Sequence, residues 1–366
     1  MTKKKIAFIK FGGLACGGTE KHLQTLAKNL PPEQFEVTYF YCDAAPYLGS
    51  DFKHIDTDPF RKSYLEDSSV KLVKFNVKYK DVRTPTHDWV ETNFWDVFDE
   101  SEFDIIQTGR SGHPEYPFTH IHTTPIVDSL HLPGHMENKS NVAKTVLVSP
   151  EQRDIWVKLG GIKENCMVIP NAIEMPEVTG DLREEIGIAK DTPIAGMHQR
   201  PDDGIFSVAL MKSFSSNRNE DIHLIVLGGS DLYKQHAAYE NIPSDKITFL
   251  PPTGDVEYIH RFLNTLDFYT HCRKDGEQCS TALMEAMYHG LPIIGHPAPS
   301  MGHEIQIGNS GFICHSKEEY SSKISLLAHD KKEREKLSGL AKKRYDENYS
   351  LPFVVDSYVK LYNSIV

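Results

Sequence analysis

Two carboxylates, Glu277 and Glu285, stand with seven residues between them in the stretch Asp275-Gly276-Glu277-Gln278-Cys279-Ser280-Thr281-Ala282-Leu283-Met284-Glu285-Ala286-Met287. Ser280 or Thr281 reads as an N-cap, and Ala282 to Met287 are helix formers without β-branching. Gly290 followed by Pro292 ends the segment around the apolar run Leu291-Pro292-Ile293-Ile294. A loop therefore feeds a short helix. The first turn of such a helix offers unpaired backbone N–H groups and the positive end of its dipole, a combination that suits a diphosphate. A carboxylate aimed at a phosphate would repel it. The partners expected for Glu277, just before the anion site, and for Glu285, just past its first turn, are therefore hydroxyls: a sugar on one side and a ribose on the other. The alternative is an ordinary surface helix with two solvated glutamates, and spacing alone does not separate the two.

A second stretch with chemistry in it is Phe11-Gly12-Gly13-Leu14-Ala15-Cys16-Gly17-Gly18-Thr19-Glu20, where four glycines between a strand and a helix let backbone approach a ligand. It fits neither standard nucleotide fingerprint. Gly12-x4-Gly17 has P-loop spacing, but Gly18 stands where the phosphate-binding lysine belongs. G-x-G-x-x-G is absent as well, which counts against a nicotinamide or flavin enzyme. A plain flexible loop is the competing reading.

Elements must position these groups, and 366 residues are more than one core usually organises, so two domains of similar size are expected. An apolar fraction of 39% fits a globular protein, and a net charge of −11 with no basic run beyond Lys3-Lys4-Lys5 argues against a nucleic-acid partner. No run of 18 apolar residues occurs, and only Ile6-Ala7-Phe8-Ile9 follows the lysines, too short for a signal-peptide core. The expectation is a cytoplasmic protein, or one in peripheral contact with the cytoplasmic face of a membrane. Cys16, Cys42, Cys166, Cys272, Cys279 and Cys314 lack C-x2-C spacing, which predicts reduced thiols and neither zinc nor disulfides.

Short apolar strands alternate with helical patterns. Ile6 to Ile9, a helix Glu20 to Leu30 with Leu23, Leu26, Ala27 and Leu30 on one face, and Phe35 to Phe40 make a βαβ start and imply a parallel sheet. Further strands are predicted at Phe103 to Gln107, Pro125 to Leu130, Thr145 to Ser149 and Met167 to Ile169. A second series follows: strand Pro193 to Met197, helix Ile205 to Phe214, strands Ile222 to Leu227 and Lys246 to Leu250, helix Val256 to Leu263, strand Asp267 to His271. Asn171 to Thr192 reads as the boundary. A charged helix Lys331 to Arg344 precedes a last helix with an apolar stripe that includes Tyr358, Leu361 and Tyr362.

The Glu277-x7-Glu285 spacing resembles the E-x7-E signature of the retaining glycosyltransferases of family 4, and Gly17-Gly18-Thr19-Glu20-Lys21-His22 resembles their glycine-rich turn. Other parts of that pattern occur in order. Ile126-Val127-Asp128-Ser129-Leu130-His131 is similar to the strand ending in a histidine beside the transferred sugar. Val146 to Gln152 and Val168-Ile169-Pro170-Asn171-Ala172-Ile173 resemble the end of the first domain, and Gly308 to Phe312 the loop after a third acidic position, here Glu304. The resemblance spans nearly the whole chain and implies a GT-B architecture: two Rossmann-like, doubly wound α/β domains facing each other across a cleft. It assigns residues 1–172, with a returning C-terminal helix at about 350–366, to the acceptor and residues 173–349 to the donor.

What the resemblance implies for activity is retaining, metal-independent hexosyl transfer with no cofactor, from a nucleoside diphosphate sugar, UDP first and GDP next, to an acceptor hydroxyl on a glycan, a lipid-linked molecule or a small molecule. Glu277 and His131 would act on the sugar. Gly12, Gly13, Gly17, Gly18, Arg200, Lys274, Ser280, Thr281, Ala282 and Glu285 would hold the donor. One region departs: in Gly196-Met197-His198-Gln199-Arg200-Pro201-Asp202-Asp203-Gly204, Met197 occupies the position of the family's arginine and Asp203 that of its lysine. Arg200, Arg273 or Lys274 would have to supply the missing charge. A catalytically impaired sugar-nucleotide-binding protein, an epimerase and a phosphorylase on the same architecture are the alternatives, and a phosphorylase's pyridoxal lysine motif is not visible. Asp56-Thr57-Asp58 matches a metal-binding D-x-D by chance composition, and Pro133-Gly134 interrupts His131-x3-His135, so no metal is expected.

Overall fold

The structure is a computed structural model that describes residues 2–43, 56–79, 89–110, 120–131, 140–274, 277–296 and 306–366. The chain forms two compact units, Met1–Glu174 with Ser350–Val366, and Met175–Tyr349.

In the first unit, β1 (Lys4–Phe11), β2 (Phe35–Cys42) and β3 (Lys71–Lys74) precede a small antiparallel pair, β4 (Val77–Tyr79) and β5 (Trp89–Thr92); β6 (Ile105–Arg110), β7 (Ile126–Leu130), β8 (Val142–Leu147) and β9 (Cys166–Val168) follow. The main sheet has the order β3-β2-β1-β6-β7-β8-β9, with every neighbouring pair parallel. A parallel sheet must be covered on both faces, so its strands are apolar on both. Ile6 and Phe8 of β1 accordingly enter one core with Leu23 and Leu26 of α1 (Gly18–Asn29), while Ala7 and Ile9 enter the other with Phe40, Phe75 and Phe94. Helix α2 (Pro59–Glu66) adds Leu65 to the first.

The second unit repeats the plan with β10 (Ile194–Gln199), β11 (His223–Gly228), β12 (Ile247–Leu250), β13 (Phe268–His271), β14 (Ile293–Gly295) and β15 (Gly311–Ile313), ordered β12-β11-β10-β13-β14-β15 and again all parallel. Each sheet reverses its strand order beside its first strand. In open parallel sheets ligands bind beyond the carboxyl ends of strands at such a reversal. In this unit the loops leaving β10 and β13 occupy that place. Helix α3 (Thr281–Tyr288) follows β13, and α4 (Lys331–Asn348) packs against it.

Some predicted boundaries shift for local reasons. Strand Thr145 to Ser149 is instead Val142–Leu147, because Ser149 caps the helix Pro150–Lys158, its Oγ accepting from the Gln152 amide at 3.1 Å. Helix Ile205 to Phe214 is broken into a 3-10 turn, Asp203–Ile205, which Asp202 caps by accepting from Gly204 N at 2.8 Å, and a helix that starts at Ala209. The loop read at Gly308 to Phe312 runs into strand β15. Among the described residues no helix is long and apolar enough to cross a membrane.

The last helix, α5 (Leu351–Ile365), belongs to the first unit and buries Val354, Tyr358, Leu361 and Tyr362 in its core. Its polar atoms are matched. The Ala172 amide donates to His22 Nδ1 at 2.8 Å, so the neutral ring carries its proton on Nε2, which lies 3.2 Å from the Tyr358 hydroxyl. Tyr358 stands 2.9 Å from Ser129 Oγ, and Tyr362 donates to Gln107 Oε1 at 2.8 Å. Burial holds the His22 imidazole down at about 3.

Tyr358→Phe leaves the buried His22 N–H without an acceptor and is expected to destabilise the first unit by about 1–3 kcal/mol in urea unfolding; an unchanged midpoint would contradict the network. Because His22 titrates near 3 when folded against an ordinary 6.5, its contribution to stability is complete above 6.5 and is lost as pH falls toward 3. Stability measured across that window should fall, and His22→Gln should flatten the slope.

Candidate functional site

In the second unit the expected residues gather around the start of α3. Ser280 is the N-cap but makes no capping hydrogen bond, and its Oγ is fully buried with no hydrogen-bond partner among the described residues. No acidic residue lies in the first turn. The Thr281 and Ala282 amides thus start a helix whose positive end is met by no side chain of its own. The start is nonetheless fixed in place. Gln306, buried, accepts from Ser280 N and donates to Ser280 O, each at 2.7 Å, while Arg344 of α4 donates to Gln306 O at 2.6 Å. Gly290, with φ 68°, closes the far end, where a Cβ would come within 2.6 Å of Lys342.

The two glutamates flank this start. Glu285, one turn into α3, lies 2.8 Å from His198 Nε2, with both side chains mostly buried. Glu277 accepts from Arg273 Nη1 at 2.7 Å, and its Oε2 lies 3.7 Å from His271 Nε2 without accepting a hydrogen bond among the described residues. Asp275 and Gly276, which precede it, lie outside the described residues, as do His135 and Glu304.

The candidate cations separate. Arg200 is 62% exposed and pairs with Asp202 on its own loop; Lys274 is exposed, its amide bonded to Ile205 O at 3.1 Å; Arg273 is only 12% exposed and reaches Glu277. Met197 is buried in β10, and Asp203 accepts from Ser230 Oγ. Neither supplies charge.

Several neighbours carry no sequence signal read above. His198 and Gln306 meet their partners across 87 and 26 residues of chain. Gly228 and Gly229, both at positive φ, form a tight turn after β11, where a Cβ on Gly228 would stand 2.4 Å from Gln199 O; paired glycines after a predicted strand were the available cue.

In the first unit the glycine turn is rigid. Gly13 O accepts from Gln24 Nε2 at 2.7 Å and Tyr39 Oη at 2.9 Å, and a Cβ on Gly13 would come within 2.9 Å of Lys10 O. Gly12 has φ 60°. Gly17 is the N-cap of α1, and Glu20 of the first turn folds back so closely that a Cβ on Gly17 would sit 2.2 Å from its carboxylate; Gly18 has open space there. Glu20 also lies 3.7 Å from the buried Lys10. The positive end of α1 therefore has a carboxylate of its own, whereas α3 has none.

His131 follows β7 and packs edge-on to His22, ring centroids 5.1 Å apart. Burial, then His22 and Lys10, push its imidazole well below the usual range. Its Nε2 is buried and makes no hydrogen bond among the described residues. Asp56-Thr57-Asp58 is a helix start: Asp58 accepts from Arg61 N at 2.9 Å and Thr57 N bonds Asp43. Among the described residues no three His, Cys, Asp or Glu side chains are grouped to hold a metal ion.

Comparison with curated proteins finds no match. Residues 184–344 match the family model described as glycosyl transferases group 1. Solved structures similar over the whole chain include a glycosyltransferase from Rickettsia africae ESF-5, at 15% identity and a TM-score of 0.75, covering 100% of this chain and 99% of that one. Anabaena HepE in complex with UDP and glucose is 15% identical with a TM-score of 0.70, covering 99% and 100%. A sucrose-phosphate synthase from Thermosynechococcus elongatus is 15% identical with a TM-score of 0.73, covering 99% of each. The chain has the GT-B fold of these proteins, and the part of its second unit at residues 184–344 is similar to the glycosyl transferases group 1 family.

Proposed function

We propose that the protein is a retaining glycosyltransferase that moves a hexosyl group from a nucleoside diphosphate sugar, UDP-linked first and GDP-linked next, to an acceptor hydroxyl on a glycan, a lipid-linked molecule or a small molecule. The observation that carries this reading is the uncapped, carboxylate-free start of α3 with Glu277 before it and Glu285 one turn beyond. HepE, a protein of the same fold, has been solved with UDP and glucose.

In this reading the Thr281 and Ala282 amides and the Ser280 hydroxyl meet the diphosphate, Glu285 the ribose and Glu277 the sugar hydroxyls. Arg273 is the best-buried cation for the charge that grows on the leaving phosphate, with Arg200 and Lys274 at the exposed rim. The chain's task is to stabilise that charge and hold the acceptor in line, through preorganised donors in a water-poor site. The leaving phosphate takes the acceptor's proton, so no side-chain nucleophile is required. The first unit carries the acceptor, with His131 and the turn of Gly12, Gly13, Gly17 and Gly18. His131, held neutral by burial, offers Nε2 to a hydroxyl rather than a charge.

Met197 and Asp203 favour one other reading, a sugar-nucleotide-binding protein with impaired catalysis, because each charge-assisted contact absent from a diphosphate forgoes about 1.5–3 kcal/mol. Turnover decides between them. NMR of the product formed from a UDP-sugar should show the donor's anomeric configuration retained; binding without transfer to any acceptor class would favour the impaired protein, and inversion would remove the proposed mechanism. Glu285→Ala is expected to weaken UDP binding about tenfold or more with the melting temperature preserved. Glu277→Ala should depress kcat by a far larger factor than it raises the Kd for UDP, and equal losses in both would refute the division of roles.

A further inference from the structure

We infer that His198 is a positioning residue for Glu285, holding one oxygen of the carboxylate through its Nε2–H. The inference rests on the proposed role of Glu285 at a ribose, and it adds how that carboxylate is aimed.

The His198 backbone N–H donates to Tyr269 Oη at 3.3 Å, and that hydroxyl lies 3.2 Å from His198 Nδ1 and 3.3 Å from His198 O, two acceptors that share its single proton. Burial pushes the Tyr269 phenol above its usual range, so it stays protonated and remains a donor. An ionised carboxylate only accepts, so the ring proton that meets Glu285 Oε2 at 2.8 Å sits on Nε2. His198 is packed edge-on to Tyr269 and Phe262, with ring centroids 5.6 and 6.1 Å away, which limits its rotation.

The other groups around Glu285 do not substitute for this contact. His260 lies beside His289, His260 Nδ1 to His289 Nε2 at 2.7 Å, and the far nitrogen of His289 is 2.7 Å from Asn264 Oδ1. Burial lowers both imidazoles, His289 to about 4, so neither carries positive charge toward Glu285 at neutral pH. These histidines bond one another and Asn264, and among the described residues they are not part of a group that could hold a metal ion.

The test compares UDP with 2′,3′-dideoxy-UDP by calorimetric titration. The intact protein should prefer UDP by about tenfold, the loss expected when a charged acceptor gives up its hydroxyl partners. His198→Leu should abolish most of that preference while leaving the affinity for the dideoxy nucleotide unchanged, and His198→Gln, which retains a donor, should restore part of it. Glu285→Ala distinguishes the two levels of failure. If Glu285→Ala retains the preference, the ribose role itself fails; if it abolishes the preference and His198→Leu keeps the wild-type value, positioning by His198 fails. Imidazole 15N shifts of His198 in the unliganded protein, assigned by difference with His198→Gln, test the tautomer without any nucleotide. They should report a proton on Nε2; a ring carrying its only proton on Nδ1 would overturn the inference.

Discussion

A helix that starts at the carboxyl edge of a parallel sheet leaves its first amides needing a partner, and among the described residues no side chain caps α3. That deficit organises the second unit. Gln306 clasps both backbone groups of Ser280, Arg344 holds Gln306, and Gly290 lets the chain leave α3 sharply into β14. The result is a fixed positive terminus beside a buried hydroxyl that makes no hydrogen bond among the described residues, the place the proposed function gives to an anion.

The contrast with α1 shows that this is a property of the site rather than of glycine-rich turns in general. Both helices follow a strand and a loop, yet Glu20 occupies the first turn of α1 and folds over Gly17, where it neutralises the dipole in place. The glycines of the first unit serve close backbone approach, with Gly13 pinned by Gln24 and Tyr39. The proposed function accordingly gives the charge-bearing partner to the second unit and the hydroxyl-bearing partner to the first. Arg273 fits the same division. Its neighbour Lys274 is exposed, so one residue separates a largely buried cation from a solvated one.

The sheets were legible in the sequence because parallel strands covered on both faces appear as unbroken apolar runs, as at Ile6 to Ile9 and Leu224 to Leu227. Edge strands β3 and β15 were not, being short and half exposed, with no such run to mark them. The spacing of Glu277 and Glu285 was legible because both lie on one loop and helix. Their supports were not: His198, Gln306 and Arg344 come from separate elements, and only the folded chain brings them to the two glutamates and Ser280. The same holds for α5, whose apolar stripe was plain but whose tyrosine hydroxyls find Ser129 and Gln107 across more than 200 residues.

The most direct measurement is a thermal-shift comparison of the intact protein with UDP, GDP and ADP, each beside its monophosphate. A diphosphate seated on the α3 terminus should stabilise the fold where the matching monophosphate at equal concentration does far less, and a ligand at about a hundred times its Kd adds ~2.7 kcal/mol. One base should stand out. Equal shifts for monophosphate and diphosphate, or none with any nucleotide, would contradict the assignment of that helix start to a nucleoside diphosphate.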